Sequence, residues 1–156
     1  MEIWDAYDVR GDKLEGRTLV RGEPIPEGVF HLVCDVLVKH KDGTYLLMQR
    51  DKGKNYGGMW EATAGGSALK GEDPLACARR ELFEETGIHA ADLTEVGRVV
   101  HDNIIFVEFS CVTDCPKDSV ILQAGETIAY RWVSREELRG MKASGLLTKR
   151  MQGFIR

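Results

Sequence analysis

The sequence lacks the features that mark several special classes of protein. No apolar run approaches the roughly 20 residues that a membrane-spanning helix needs, so we expect no membrane partner. The four cysteines form no Cys-x-x-Cys pair and follow no secretory leader, which favours reduced thiols and a cytoplasmic location. A formal charge of −4 provides no overall positive field, so we expect no DNA partner.

The chain of 156 residues is long enough to bury one core without disulfides or a structural metal. We therefore expect a single domain over residues 1–156. Within it, two strand-like segments around a turn at residues 10–12 predict a hairpin, and Pro24 and Pro26 then interrupt regular structure. We interpret residues 1–27 as this hairpin and a linker packed on the domain, because the segment is too short for a separate core.

The most informative stretch runs from Gly66 to Ile88 and reads GSALKGEDPLACARRELFEETGI. Asp73 is a favourable N-cap residue, and Pro74 suits the first helical position, where an amide hydrogen would have no partner anyway. Gly87 can adopt the left-handed conformation that ends a helix. These signals predict a helix that begins at Pro74 and stops at Gly87.

Three carboxylates crowd one face of this predicted helix. Glu81, Glu84 and Glu85 stand at positions i, i+3 and i+4, which are neighbours on a helix surface. Arg80 can pair with one of them but does not balance three negative charges. Clustered carboxylate oxygens are the ligands that Mg²⁺ or Mn²⁺ prefers, so the pattern predicts a divalent metal site.

The stretch resembles the Nudix motif, which is Gly, five residues, Glu, seven residues, then Arg-Glu-U-x-Glu-Glu-x-Gly-U with U apolar. The matching positions are Gly66, Glu72, Arg80, Glu81, Leu82, Glu84, Glu85, Gly87 and Ile88. The resemblance implies an α/β/α sandwich, a fold that also agrees with the order of strands, central helix, further strands and late helices. It further implies metal-dependent hydrolysis of a diphosphate bond in a nucleoside diphosphate derivative.

The same resemblance implies roles for individual residues. Glu81, Glu84 and Glu85 become metal ligands, with Glu84 and Glu85 central to catalysis, and Arg80 orients a neighbouring carboxylate. Glu72 acts as a ligand through water or as a hydrogen-bond acceptor behind the ligands.

Two further roles fall outside the run of glutamates. The stretch Ala64-Gly65-Gly66 lets the backbone approach a ligand, so the Gly66 carbonyl is expected to complete the metal shell. Glu126 precedes the last predicted strand, where many relatives carry a catalytic or metal-binding Glu, although a turn residue after Gly125 is an equally good interpretation.

The residues that would hold the substrate are less specific. Arg50 leaves a strand toward the glycine-rich loop 51–58 and can hold a phosphate with its guanidinium, or else form a surface salt bridge. Lys54 in that loop can clamp a nucleotide, or simply be solvated. His31 and Asp35 share one strand face and either line a substrate pocket or form a polar pair within the sheet. A homodimer is possible.

Two other functions fit parts of the sequence. Trp4-Asp5, Gly28, His31, Gln49-Arg50, Trp60 and Gly71-Glu72 resemble the isopentenyl-diphosphate isomerase branch of the superfamily. That branch needs a cysteine and a histidine after the tryptophan, where this chain has Gly65 and Ser67, so we expect a hydrolase. A non-catalytic nucleotide sensor would usually carry a degraded motif or a DNA-binding domain, and this sequence has neither.

Overall fold

The computed structural model describes residues 1–90 and 92–155, so positions 91 and 156 of the predicted domain lie outside the described residues. The chain begins with a two-stranded antiparallel hairpin, β1 (Ile3–Tyr7) and β2 (Lys13–Val20). Trp4, Ala6 and Leu19 of this hairpin pack with Val29 in a small apolar cluster. The hairpin predicted from residues 1–27 is therefore present, while the single-domain interpretation stays a prediction.

Among the described residues, a seven-stranded mixed sheet forms the body of the protein. Its strands are β3 (His31–His40), β4 (Tyr45–Arg50), β5 (Trp60–Glu61), β6 (Ala64–Ser67), β7 (Thr94–His101), β8 (Ile104–Thr113) and β9 (Thr127–Val133). The order β5-β4-β3-β8-β7 forms the main path, with β6 paired to β3 and β9 paired to β4. The β3 and β8 strands run parallel over their whole length, and the other pairs are antiparallel.

Helices cover both faces of this sheet. Alternate residues of a strand point to opposite faces, so Val36 of β3 packs with Leu82 of α1 (Pro74–Thr86) in one core cluster. Leu37 instead packs with Met141 of α2 (Arg135–Ala143) and Met151 of α3 (Lys149–Gln152) in another. The expected α/β/α sandwich with a mixed sheet is confirmed.

The neighbouring strands β3 and β4 separate after a single register pair, Lys39 with Tyr45. Thr63 fills the gap between them. The Val38 N–H donates to Thr63 Oγ1 at 2.9 Å, and the Thr63 hydroxyl donates to the Leu46 carbonyl at 2.6 Å. Because the strands diverge there, the glycine-containing β6 can enter beside β3 and reach α1.

The C-terminal helix is shorter than its apolar spacing suggests. Leu147, Met151 and Phe154 predict an amphipathic helix, but α3 contains only Met151 of the three. Leu147 instead forms an isolated β-bridge with Trp60, and the Thr148 side chain caps the helix after it. All four cysteines are free thiols, and no helix of the described residues is long and apolar enough to cross a membrane.

Candidate metal and diphosphate site

The helix α1 forms as its end signals predict. The Asp73 carboxylate accepts a hydrogen bond from the Ala76 N–H at 2.7 Å, and Pro74 occupies the first turn. Gly87 ends the helix in the left-handed region with φ of 77°, and its N–H donates to the Phe83 carbonyl. Local sequence therefore fixes both ends of the helix that carries the three candidate metal ligands.

Two of these ligands, Glu81 and Glu85, form a contact pair in a dry setting. Glu85 is only 7% exposed, and its Oε1 accepts a hydrogen bond from the Gly65 N–H at 3.3 Å. Burial raises the pKa of both carboxyls, that of Glu85 to about 9, and the charge of Glu81 adds to the shift at Glu85. The pair therefore retains a proton at neutral pH when no cation is bound.

Arg80 holds the remaining carboxylates around one guanidinium. Its Nε and Nη2 donate to the two oxygens of Glu72 at 2.5 and 3.1 Å. Its Nη1 donates to Glu81 at 2.9 Å and to Glu84 at 3.2 Å, and Nη2 also reaches the Ser67 carbonyl at 3.1 Å. Glu84 is the exposed member of the set, with 46% of its side chain accessible.

The two glycines of β6 are needed for close approach. A Cβ on Gly66 would overlap the carboxylate of Glu81, and a Cβ on Gly65 would overlap the carboxylate of Asp35. Neither glycine has a positive φ, so the requirement is for space rather than for an unusual backbone conformation. The Gly66 backbone therefore lies directly against the candidate ligand Glu81.

A second group of charges comes from β4, β5 and the loop before β9. Arg50 Nη1 donates to Glu61 Oε2 at 2.5 Å, and its Nε donates to the Asn55 carbonyl at 2.7 Å. Lys54 forms an ion pair with Glu126, so the structure brings these two predicted residues together. Burial raises the pKa of Glu61 although Arg50 opposes the shift, and the charges of Glu61 and Glu85 are close enough to affect each other.

No three His, Cys, Asp or Glu side chains among residues 1–90 and 92–155 converge as a preformed metal site. The donor set nevertheless fits Mg²⁺ or Mn²⁺, because every candidate ligand is an oxygen. Acidic side chains also outnumber basic ones at the site, by six carboxyl groups to three cationic groups. The carboxylates are Glu61, Glu72, Glu81, Glu84, Glu85 and Glu126, and the cations are Arg50, Lys54 and Arg80.

The sequence leaves the roles of His31 and Asp35 open, and in the structure each of them contacts another side chain. His31 stacks on Trp4 with ring centroids 4.2 Å apart. Asp35 pairs with Arg150 of α3. Sequence reasoning missed Glu61, because its place beside Arg50 depends on the pairing of β5 with β4 and has no local signal.

The comparisons with known proteins agree with this geometry. The family model described as NUDIX domain matches residues 29–154. An uncharacterised Nudix hydrolase of Listeria monocytogenes is 36% identical over 149 residues, covering 93% of this chain and 87% of that protein. An isopentenyl-diphosphate Delta-isomerase of Streptomyces coelicolor is 35% identical over 79 residues, covering 50% of this chain and 40% of that protein.

Solved structures show the same fold. The crystal structure of DR0079 from Deinococcus radiodurans superposes with a TM-score of 0.77 at 16% identity, covering 95% of this chain and 93% of that chain. The NUDIX domain of Shewanella oneidensis NrtR, solved with ADP-ribose, superposes with a TM-score of 0.66 at 16% identity. That match covers 81% of this chain and 84% of the other.

Proposed function

Because the chain belongs to the Nudix family of pyrophosphohydrolases, we propose that it hydrolyses the diphosphate bond of a nucleoside diphosphate derivative with Mg²⁺ or Mn²⁺. The observation that carries the proposal is the contact of Glu81 with the buried Glu85 against the Gly65-Gly66 backbone. Two carboxylates that share a proton in a buried site can bind a divalent cation, which would displace the proton.

The bound metal would orient the attacking water and neutralise the charge that develops on the phosphate oxygens. Glu81, Glu84 and Glu85 are the proposed ligands, and the Gly66 carbonyl is proposed to complete the metal shell. Arg80 keeps Glu81 and Glu84 in place through its hydrogen bonds. Its bidentate pair with Glu72 supports a role for Glu72 behind the ligands rather than on the metal.

The second charge group supplies the proposed base and phosphate contacts. Glu126 takes the proton of the attacking water, and Lys54 holds the Glu126 carboxylate at the site. Arg50 and Lys54 also hold phosphate oxygens beside their carboxylate partners, since a guanidinium or an ammonium group carries several N–H donors. The ADP-ribose bound to the Shewanella neighbour supports a nucleoside diphosphate derivative as the ligand class.

Two alternatives remain to be tested. The partial identity to an isomerase favours isomerase activity, but Gly65 and Ser67 of β6 stand where that branch needs cysteine and histidine. We therefore expect no dimethylallyl diphosphate from isopentenyl diphosphate by NMR. A non-catalytic sensor would bind a nucleotide tightly and leave its diphosphate intact.

The deciding experiment is a substrate panel with Mg²⁺ and with Mn²⁺. Nucleoside triphosphates, sugar nucleotides, dinucleotide cofactors and nucleoside diphosphates are incubated with the protein, and a coupled phosphatase releases the phosphate to be measured. We expect Glu85→Gln to reduce turnover of the best substrate by more than about 100-fold, since even partners of metal ligands are worth 10-fold to 100-fold. Glu136→Gln on exposed α2 is the matched control. Equal turnover in both variants would refute the assignment of the metal site.

A further inference from the structure

The N-terminal hairpin contacts the loop that leads into α1 through a buried carboxylate. Asp5 of β1 is 7% exposed, and its Oδ2 accepts a hydrogen bond from the Gly71 N–H at 2.8 Å. The same oxygen lies 3.2 Å from the Lys13 ammonium of β2. A carboxylate in the hairpin therefore binds the backbone amide that directly precedes Glu72, the partner of Arg80.

Two backbone hydrogen bonds hold the same loop. The Lys70 N–H donates to the Ile3 carbonyl of β1, and the Ala68 N–H donates to the Leu32 carbonyl of β3, both at 2.9 Å. Gly71 then turns the chain in the left-handed region, with φ of 86°. The loop is thus fixed at three successive points, two of which belong to the hairpin.

The turn at Gly71 sets where the next residue, Glu72, places its carboxylate. Glu72 Oε2 accepts a hydrogen bond from the Leu69 N–H at 2.9 Å, while both of its oxygens accept from Arg80. Arg80 in turn donates to Glu81 and Glu84. A continuous chain of short contacts therefore runs from Asp5 to the candidate metal ligands.

We propose that Asp5 is a positioning residue for the metal site, and that the hairpin, which precedes the matched family region 29–154, is part of the active-site support. This inference rests on the proposed function for its catalytic meaning. Asp5 is not itself one of the proposed metal ligands. It holds the turn at Gly71 in place. The turn sets the position of the Glu72 carboxylate, and Glu72 in turn positions the guanidinium of Arg80.

The charge state of Asp5 suits this role. Burial alone would raise its pKa, but the Gly71 hydrogen bond and the Lys13 charge outweigh burial and lower the pKa below the ordinary value. The group is therefore an ionised acceptor at neutral pH. An ionised acceptor binds an amide N–H more strongly than a neutral one does.

Three variants separate positioning from mere packing. Asp5→Ala removes the acceptor for Gly71, Asp5→Asn keeps an oxygen that can accept from the same N–H, and Lys13→Met removes only the ion pair. We expect Asp5→Ala to weaken Mn²⁺ binding, measured by calorimetry, by about 10-fold and to lower kcat by a similar factor. The KM for substrate should change less than twofold. Asp5→Asn should restore most of the loss, and Lys13→Met should resemble the wild type.

A second measurement does not depend on metal or activity. In metal-free protein, Asp5→Ala should shift the ¹H–¹⁵N signal of Arg80 Nε and the Leu69 amide signal, while Lys13→Met should leave both near their wild-type positions. Unmoved signals in Asp5→Ala would overturn the inference, as would wild-type Mn²⁺ affinity in that variant. If the wild type neither binds Mn²⁺ nor cleaves any substrate, the proposed function fails, and the Arg80 signal still decides whether Asp5 positions the cluster.

Discussion

At the scale of single residues, Gly66 has a defined steric role. A Cβ there would overlap the Glu81 carboxylate, which lies at the end of a flexible side chain and can move away. We expect Gly66→Ala to lower turnover at least about 10-fold, because a displaced metal-ligand carboxylate costs at least as much as a lost partner of one. The free energy of unfolding should change by less than about 1 kcal/mol, as measured by urea denaturation.

Gly140 offers the matched control for this substitution. It lies within the exposed side of α2, and an added Cβ would meet no atom within 4 Å. Gly140→Ala should leave turnover unchanged and stabilise the protein by about 0.5–1 kcal/mol, since glycine is a poor helix former. Equal turnover losses in the two variants, or none in either, would contradict the role assigned to Gly66.

His31 should make stability depend on pH. Burial, with a smaller contribution from the charge of Arg21, lowers the pKa of His31 below its ordinary value. The folded state therefore favours the neutral imidazole stacked on Trp4, and its stability is fully present above the unfolded pKa of about 6.5. As the pH falls below that value, the unfolded state takes up the proton first and stability is lost, by up to about 1.4 kcal/mol per pH unit.

The His31→Phe variant tests this dependence because it keeps an aromatic ring on Trp4. The free energy of unfolding, measured between pH 5.5 and 7.5, should fall less steeply with acid in the variant than in the wild type. His101→Gln, at an exposed strand end, should keep the wild-type slope. Parallel slopes for wild type and His31→Phe would show that protonation of His31 is not linked to unfolding.

The residues that could be predicted from the sequence depend on neighbours within one helix, whereas the residues that were missed depend on contacts between separate elements. Glu81, Glu84 and Glu85 could be predicted because their spacing on one helix is a local property. Glu61 could not, because its burial depends on the pairing of β5 with β4, which brings Arg50 to it. Asp5 and Gly71 are 66 positions apart, and no local sequence pattern predicts the hydrogen bond between them.

At the scale of elements, the gap between β3 and β4 depends on one buried hydroxyl. Thr63→Val has nearly the same shape but leaves the Val38 N–H and the Leu46 carbonyl without the hydrogen bonds that Thr63 provides. Each buried polar group left unpaired costs about 1–3 kcal/mol, so for the two groups we expect a loss of about 2–6 kcal/mol by urea denaturation. Thr18→Val on exposed β2 should change stability by less than about 0.5 kcal/mol. A loss below 1 kcal/mol at Thr63 would show that the strands do not need this bridge.

The elements also differ in how well the sequence predicts them. The α1 helix has an N-cap residue, Asp73, and a C-cap residue, Gly87, in its local sequence, so its bounds can be predicted from that sequence alone. The β6 strand contains two glycines, which are unfavourable in strands, and forms because β3 supplies pairing partners. The α3 helix begins only after Thr148, because Leu147 is held by Trp60, so it does not cover the whole apolar pattern.

At the scale of the whole molecule, excess negative charge at the site should couple metal binding to stability. Six carboxyl groups face only three positively charged side chains at the site, and this imbalance destabilises the folded state until a metal ion binds. In the unfolded chain the same carboxyl groups are far apart and solvated. Mg²⁺ that binds only the folded state should stabilise it by about 2.7 kcal/mol at 100 times its dissociation constant. For a chain of this length the melting temperature should then rise by about 5–10 °C.

Ionic strength and ligand loss provide the controls for this shift. NaCl at matched ionic strength screens exposed charges but does not bridge Glu81 and Glu85, so it should raise the melting temperature far less. Glu85→Gln replaces a buried carboxyl that is protonated without a cation by a neutral amide, so its melting temperature in EDTA should be close to that of the wild type. Because the amide cannot take on the negative charge that binds the ion, added Mg²⁺ should shift that melting temperature little. A wild-type shift that NaCl reproduces, or one that Glu85→Gln retains, would mean that the acidic cluster of α1 is tolerated without a bound ion.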